Sequence, residues 1–206
     1  MNFVELLKND VRFQEGLIAC MNCGTCTATC PAARFYDYDP RIIVETVQRG
    51  NETDILNLLE SNTIWYCGEC LSCKTRCPRN NTPGYVVQAL RSLSQELGYF
   101  VKSERGRQQL EVKRTVGENM IKYGYCVYLD EIDLEGHPEQ GPVWQWYKDN
   151  AGSILKKLGA NYKGDGPGTM RKISEEDLLE LTRIFEVTGA VKRFEEIENY
   201  CRNDIL

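Results

Sequence analysis

Eight of this chain's ten cysteines fall into two runs of identical spacing, and no other feature constrains the fold as strongly. Cys20, Cys23, Cys26 and Cys30 are separated by two, two and three residues and followed by Pro31. Cys67, Cys70, Cys73 and Cys77 repeat those intervals and are followed by Pro78. The spacing, proline included, is the bacterial pattern that ligates [4Fe–4S] clusters. Two-residue spacers curl the backbone around a cube and set three successive sulfurs on three different irons. The fourth iron lies on the far side and needs a thiolate from a distant stretch of chain.

In two-cluster ferredoxins that fourth thiolate comes from the other run. Applied here, cluster one takes Cys20, Cys23, Cys26 and Cys77, and cluster two takes Cys67, Cys70, Cys73 and Cys30. The crossing holds two clusters close enough for electron hopping and ties folding of both loops to the metal. Structural zinc sites made of four cysteines take two C-x2-C pairs far apart in sequence, which neither run provides. The residues between the first four cysteines, Gly24, Thr25, Thr27, Ala28 and Thr29, are small or carry a hydroxyl and let backbone N–H groups approach sulfur. The second run carries Lys74, Arg76 and Arg79. Positive charge beside a cluster raises its potential, so the second cluster is expected at the higher potential, unless the three are an ordinary solvated basic edge or a docking surface.

Composition narrows the class. With 206 residues, 42% of them hydrophobic, the chain can build a packed core. No apolar stretch approaches the roughly 20 residues that span a bilayer, and the first residues lack the basic-then-apolar order of a signal peptide. Ten cysteines in that context point to a reducing compartment, and a cytoplasmic protein is expected. Residues 1–100 hold 9 Lys and Arg against 11 Asp and Glu, and the remainder 16 against 19. Neither half has the basic footprint of a nucleic-acid binder.

Helix signals fill the intervals. Phe3 to about Ala19 reads as one or two short helical pieces. Asp39 as N-cap, Pro40 at the first helical position and Gly50 as terminator bound a helix of about ten residues, and Ile55, Leu56, Leu58 and Leu59 mark another. Thr82-Pro83 starts a third, with Val86, Val87, Leu90, Leu93 and Leu97 along one side and Gly98 at its end. Each run is thus followed by a proline-started amphipathic helix, an internal repeat of organisation. Ser103 opens a long helix ending near Gly124; Tyr125–Leu129 reads as a short β-like run. Pro142 starts a helix, Gly159–Gly168 is loop, Ser174 caps a helix to about Val187, and a last helix runs from Ala190 to about Cys201. The expected fold is mainly α: an α-helical ferredoxin domain with two [4Fe–4S] clusters over residues 1–100, and a mainly helical C-terminal extension for packing and subunit docking over 101–206.

The remaining candidates are weak. Cys126 and Cys201 lie outside the runs and read as structural thiols. His137 reads as a loop residue, and Trp144, Trp146 and Tyr147 as core or interface anchors. No nucleotide fingerprint, triad or paired-carboxylate site appears, so no catalytic residue is assigned.

Ala19-Cys20-Met21-Asn22-Cys23-Gly24-Thr25-Cys26-Thr27-Ala28-Thr29-Cys30-Pro31 resembles the C subunit of heterodisulfide reductase, and so does Trp65-Tyr66-Cys67-Gly68-Glu69-Cys70-Leu71-Ser72-Cys73-Lys74-Thr75-Arg76-Cys77-Pro78. The resemblance covers all eight ligand positions. Succinate dehydrogenase and anaerobic glycerol-3-phosphate dehydrogenase have iron–sulfur subunits with related runs, but this chain lacks the plant-type C-x4-C-x2-C set. It also lacks the Cys-Cys pair of the B subunit's cysteine-rich modules. The resemblance implies an electron-transfer subunit, inactive alone, between an A-like flavoprotein and a B-like subunit that handles a disulfide or sulfur substrate. The segments 117–131, 137–144 and 184–189 are similar to the longer C subunits of the soluble complex of sulfur-oxidising prokaryotes. That similarity implies a role in sulfur metabolism, with a methanogen-type reductase as the alternative. An iron–sulfur redox sensor and a membrane-tethered respiratory subunit are the readings from other classes.

Overall fold

A computed structural model describes residues 2–135 and 141–204, with side chains through residue 202; His137 and the Gly-His-Pro loop lie outside the described residues. The helices are α1 (Phe3–Lys8), α2 (Val11–Gly16), α3 (Thr25–Ala28), α4 (Pro40–Arg49), α5 (Glu52–Glu60), α6 (Pro83–Glu96), α7 (Glu104–Val112), α8 (Glu118–Tyr123), α9 (Pro142–Lys157), α10 (Glu175–Val187) and α11 (Ala190–Asp204). The described residues contain no strand, so the fold is mainly α as its capping pattern requires. The chain forms two compact units, residues 1–109 with 195–206, and residues 110–194.

In the first unit, α6 is the central element. Val86, Val87, Ala89 and Leu90 are buried along it, against Ile43, Val44 and Val47 of α4, Ile55 and Leu59 of α5, and Phe3, Leu7 and Phe13 of the opening helices. Gly16 ends α2 hard against α6: a Cβ there would lie 3.0 Å from Tyr85 Cβ and 3.1 Å from the Val86 nitrogen. That approach lets the Thr82 N–H donate to the Gly16 carbonyl at 2.8 Å. Asp39 caps α4 through the N–H groups of Arg41 and Ile42, and Gly50 closes it. Thr82 stands at the N-cap of α6, yet its side chain makes no capping bond.

The boundary drawn at residue 100 from the end of the cysteine pattern differs from the observed grouping. Tyr99–Lys102 is a 3-10 turn that buries Phe100 and Val101, and α11 returns to the same unit. Tyr200 meets the Phe100 ring edge-on, donates from its hydroxyl to the Glu96 carbonyl at 3.2 Å, and covers Gly98, where any Cβ would come within 2.6 Å of its ring. Gly98 also adopts a φ of 77°, so glycine is required there twice over.

The long helix expected from Ser103 to near Gly124 is present, running without interruption from Glu104 to Tyr123 with a π-helical turn inside it at Lys113–Gly117. The β-like run Tyr125–Leu129 is not a strand. An isolated extended run has no edge to pair with, and its residues are taken up individually: Tyr128 stacks on Tyr123 at 3.9 Å, the Tyr125 hydroxyl donates to the Arg171 carbonyl, and Leu129 packs with Ala151 and Leu155 in a small core. Ser174 caps α10 through the Asp177 N–H, and Asn161 Nδ2 organises the glycine-rich loop by donating to the carbonyls of Asp165, Gly166 and Pro167.

Candidate iron–sulfur centres

Two small cavities of similar size lie in the first unit. One is lined by Cys20, Cys23, Cys26 and Cys77, the other by Cys30, Cys67, Cys70 and Cys73. Each therefore gathers three thiols from one run and the fourth from the other. Cys126 is exposed, Cys201 is buried on α11, and neither lines a cysteine cavity. A larger cavity in the second unit, lined by Lys122, Tyr123, Tyr128, Lys163 and Arg171 among others, contains no cysteine.

The loops obtain their curvature from left-handed residues at matching positions. Asn22 and Gly24 have φ of 58° and 78°; Glu69 and Leu71, 47 residues later, have 53° and 57°. A non-glycine residue in this region costs about 1–2 kcal/mol, so something must hold each loop. In the first, Gln48 of α4 accepts from the Cys20 N–H at 2.6 Å and donates to the Cys20 carbonyl at 3.1 Å, while Arg41 donates to Asn22 Oδ1 at 2.6 Å. In the second, Arg91 of α6 donates to the carbonyls of Ile64 and Cys67, both at 2.7 Å, and to Glu69 Oε1 at 2.5 Å. Gln48 and Arg91 are each eight residues beyond the proline that starts their helix.

The thiols are graded by their surroundings. Burial pushes Cys26 up to about 11 and also raises Cys73. The Thr25 hydroxyl lowers Cys23 and the Ser72 hydroxyl lowers Cys70, each 3.4 Å from the sulfur. A hydroxyl two residues after the second cysteine thus favours the ligating thiolate in both loops. The donor set fits the group the spacing implies: eight thiols, four to a cavity, around space with a glycine at each wall, Gly24 in one, Gly68 and Gly84 in the other.

The residues two before each helix-starting proline also line the cavities, Tyr38 beside Cys30 and Asn81 beside Cys77. Neither is conspicuous in the sequence; only the repeat, once aligned on its prolines, picks them out. The basic residues of the second run are redistributed. Lys74 Nζ rests over the Tyr85 ring, 5.2 Å from its centre, and Arg79 lines the first cavity, together with Arg41. Crossing the runs carries Arg79, two residues beyond Cys77, across with it, so one of the three charges expected at the second cavity is at the first.

The family described as 4Fe-4S dicluster domain matches residues 16–81, the stretch that contains both runs. The C subunit of the ferredoxin:CoB-CoM heterodisulfide reductase of Methanosarcina acetivorans is 44% identical over 186 residues, 88% of this chain and 69% of the relative. The iron-sulfur C subunit of the CoB–CoM heterodisulfide reductase of Methanopyrus kandleri is 37% identical over 69% of this chain and 71% of its own length. The corresponding C 2 subunit from Methanocaldococcus jannaschii is 34% identical over 70% and 75%. Identity of this extent reaches well beyond the cysteine loops into both units, and the chain belongs to the C-subunit family of heterodisulfide reductases.

Proposed function

We propose that this chain carries two [4Fe–4S] clusters, one on Cys20, Cys23, Cys26 and Cys77 and the other on Cys67, Cys70, Cys73 and Cys30, and passes single electrons between neighbouring subunits of a heterodisulfide-reductase complex. The observation that carries the reading is the crossing of the two runs into two four-thiol cavities. When bound, such clusters supply one-electron redox chemistry. The chain's own residues hold the loops curled, favour thiolates at Cys23 and Cys70, and partly bury Cys26 and Cys73.

The partners in this reading are an A-like flavoprotein and a B-like cysteine-rich subunit, with residues 101–206 as the docking extension and the cytoplasm as the location. The chain alone turns over no substrate. The methanogen-type reductase is supported by relatives whose names specify CoB–CoM heterodisulfide. The soluble complex of sulfur-oxidising prokaryotes is the other host, supported by the similarity of segments 117–131 and 184–189. No helix among the described residues is long and apolar enough to cross a membrane.

Gentle anaerobic purification from the native host, with assays for iron, acid-labile sulfide and co-purifying chains, tests the reading. About eight iron atoms per chain are expected, with A-like and B-like subunits attached. Reduction of CoB–CoM disulfide by the purified complex supports the methanogen type; its absence, with sulfur-compound oxidation in its place, supports the other host. Zinc in place of iron overturns the reading.

A further inference from the structure

The two cavities differ in the polar group that stands two residues before the helix-starting proline. Asn81, at the first, is engaged with backbone: its Oδ1 accepts from the N–H groups of Ile18 and Ala19 at 2.8 and 3.2 Å, and its Nδ2 donates to the Ala19 carbonyl at 3.0 Å. Tyr38 occupies the corresponding place at the second, two residues before Pro40, and is 4% exposed. Its hydroxyl is shielded from water and makes no hydrogen bond of good geometry; its nearest polar groups are the Cys67 sulfur, with which it interacts weakly, and the Cys30 thiol. Leaving a buried hydroxyl unpaired is costly, so a partner at this site would be stabilising. The one other buried orphan among the described residues, Trp65 Nε1, belongs to a side chain that lines neither cavity.

A neutral thiol is a weak acceptor for this hydroxyl, and a ligated sulfur carrying negative charge is a better one. We propose that the Tyr38 hydroxyl donates a hydrogen bond to a sulfur of the cluster held by Cys67, Cys70, Cys73 and Cys30, and that this bond raises that cluster's reduction potential while leaving the other's unchanged. Adding an electron makes the sulfurs more negative, so a donor stabilises the reduced form more than the oxidised one; hydrogen bonds to sulfur are among the levers that set these potentials. At the first cavity the side chain in this place, Asn81, ties down Ile18 and Ala19 ahead of Cys20. The inference rests on the two-cluster reading and adds a residue to one of its sites.

The test uses the full chain, reconstituted without oxygen, as wild type and Tyr38→Phe. Iron and sulfide are assayed first, and wild type far below about eight iron atoms overturns the two-cluster reading itself. With both clusters present, a potentiometric titration followed by electron paramagnetic resonance is expected to show one couple falling in Tyr38→Phe and the other unmoved. The expected change is about tenfold in the reduced-to-oxidised ratio, about 59 mV for one electron. The falling couple should also lose a coupling to an exchangeable proton that wild type replaces with deuterium in heavy water, a signature that repacking alone does not erase. Two unmoved couples in a fully loaded variant overturn the Tyr38 proposal and leave the clusters standing. If Tyr38→Phe does not hold iron, replacing Tyr38 by 3-fluorotyrosine, a stronger donor of nearly the same shape, must move the same couple upward; no movement overturns the proposal.

Discussion

The first and second cysteine loops share their spacing and their left-handed positions, and they are held by unlike chemistry. The first is gripped by a neutral amide, Gln48, which makes a two-way clasp on the backbone of Cys20. The second is gripped by a guanidinium, Arg91, which reaches the carbonyls of Ile64 and Cys67 and lies over the Trp65 ring at 5.4 Å. Arg41 and Arg79 line the first cavity; no Lys or Arg lines the second, where Arg91 acts from behind the loop and one hydroxyl is orphaned. Duplicated geometry with divergent polar groups leaves two sites able to hold the same kind of cluster at different potentials, which a directional relay needs.

The sharpest way to break the comparison is to test the crossing. Cys77→Ser removes a thiol from the first cavity and Cys30→Ser from the second. Each should cost about four of eight iron atoms. The resonance signal lost in Cys77→Ser must be the one lost in Cys20→Ser, and that lost in Cys30→Ser the one lost in Cys67→Ser. If Cys77 and Cys67 instead silence the same signal, the loops do not exchange their fourth ligands.

The two clasps come next. Arg91 is mostly buried, so Arg91→Met strands two carbonyls and should destabilise the loaded chain by about 2–3 kcal/mol, against about 1 kcal/mol for Gln48→Ala. The contact of Arg91 with the half-exposed Glu69 adds little to this difference. Denaturant unfolding without oxygen measures both. Equal losses would mean that the amide and the guanidinium do the same work.

Much of this was readable in advance, because local signals dominate where they occur. Asp39-Pro40, Thr82-Pro83, Gly50 and Gly98 mark helix ends by backbone chemistry that tertiary structure does not override, and the cysteine spacing carries its meaning within eleven residues. Tyr38, Asn81, Gln48 and Arg91 were not readable, since their roles depend on which loop a helix packs beside, a contact across 20 to 60 residues of chain. Arg79 shows the cost of reading charge by sequence proximity when the fourth ligand crosses. Tyr125–Leu129 failed for the opposite reason: its residue types favour a strand, and the fold offers no partner.

The starts of α4 and α6 differ in a way that acid should expose. Burial raises Asp39, but the Thr27 hydroxyl, the N–H groups of Ile42 and Arg41 and the Arg41 side chain outweigh it and leave its carboxyl below the usual range. A folded-state value below the unfolded one, about 3.9, contributes stability that is complete above that value and is lost as pH falls through the folded one. Thr82 has no such group to protonate. Amide exchange should therefore lose about fivefold in protection at the first turn of α4 below about pH 4, as loss of a cap of about 1 kcal/mol implies, while α6 changes little. In Asp39→Asn the pH dependence should disappear and a cap remain. Equal loss in both helices would trace the effect to the clusters and not to the cap.

The smallest effect should come from the second position of each helix, where the repeat places Arg41 in α4 and Gly84 in α6. Arg41 extends over the first cavity; a Cβ on Gly84 would lie 3.2 Å from Leu71 Cδ2 and 3.7 Å from Cys73 Sγ. Gly84→Ala gains up to about 1 kcal/mol in helix propensity and meets a methyl at the end of a side chain that can turn aside by a few tenths of an ångström. The two should nearly cancel, leaving stability within about 0.5 kcal/mol of wild type. The displaced Leu71 sits at a left-handed position between Cys70 and Cys73, so whatever shift occurs is transmitted to the second loop alone. A small change in the second cluster's signal with the first untouched fits that path. Iron loss from the second site would mean that Leu71 cannot move, and that the second loop, despite its stronger clasp, is the less forgiving of the two.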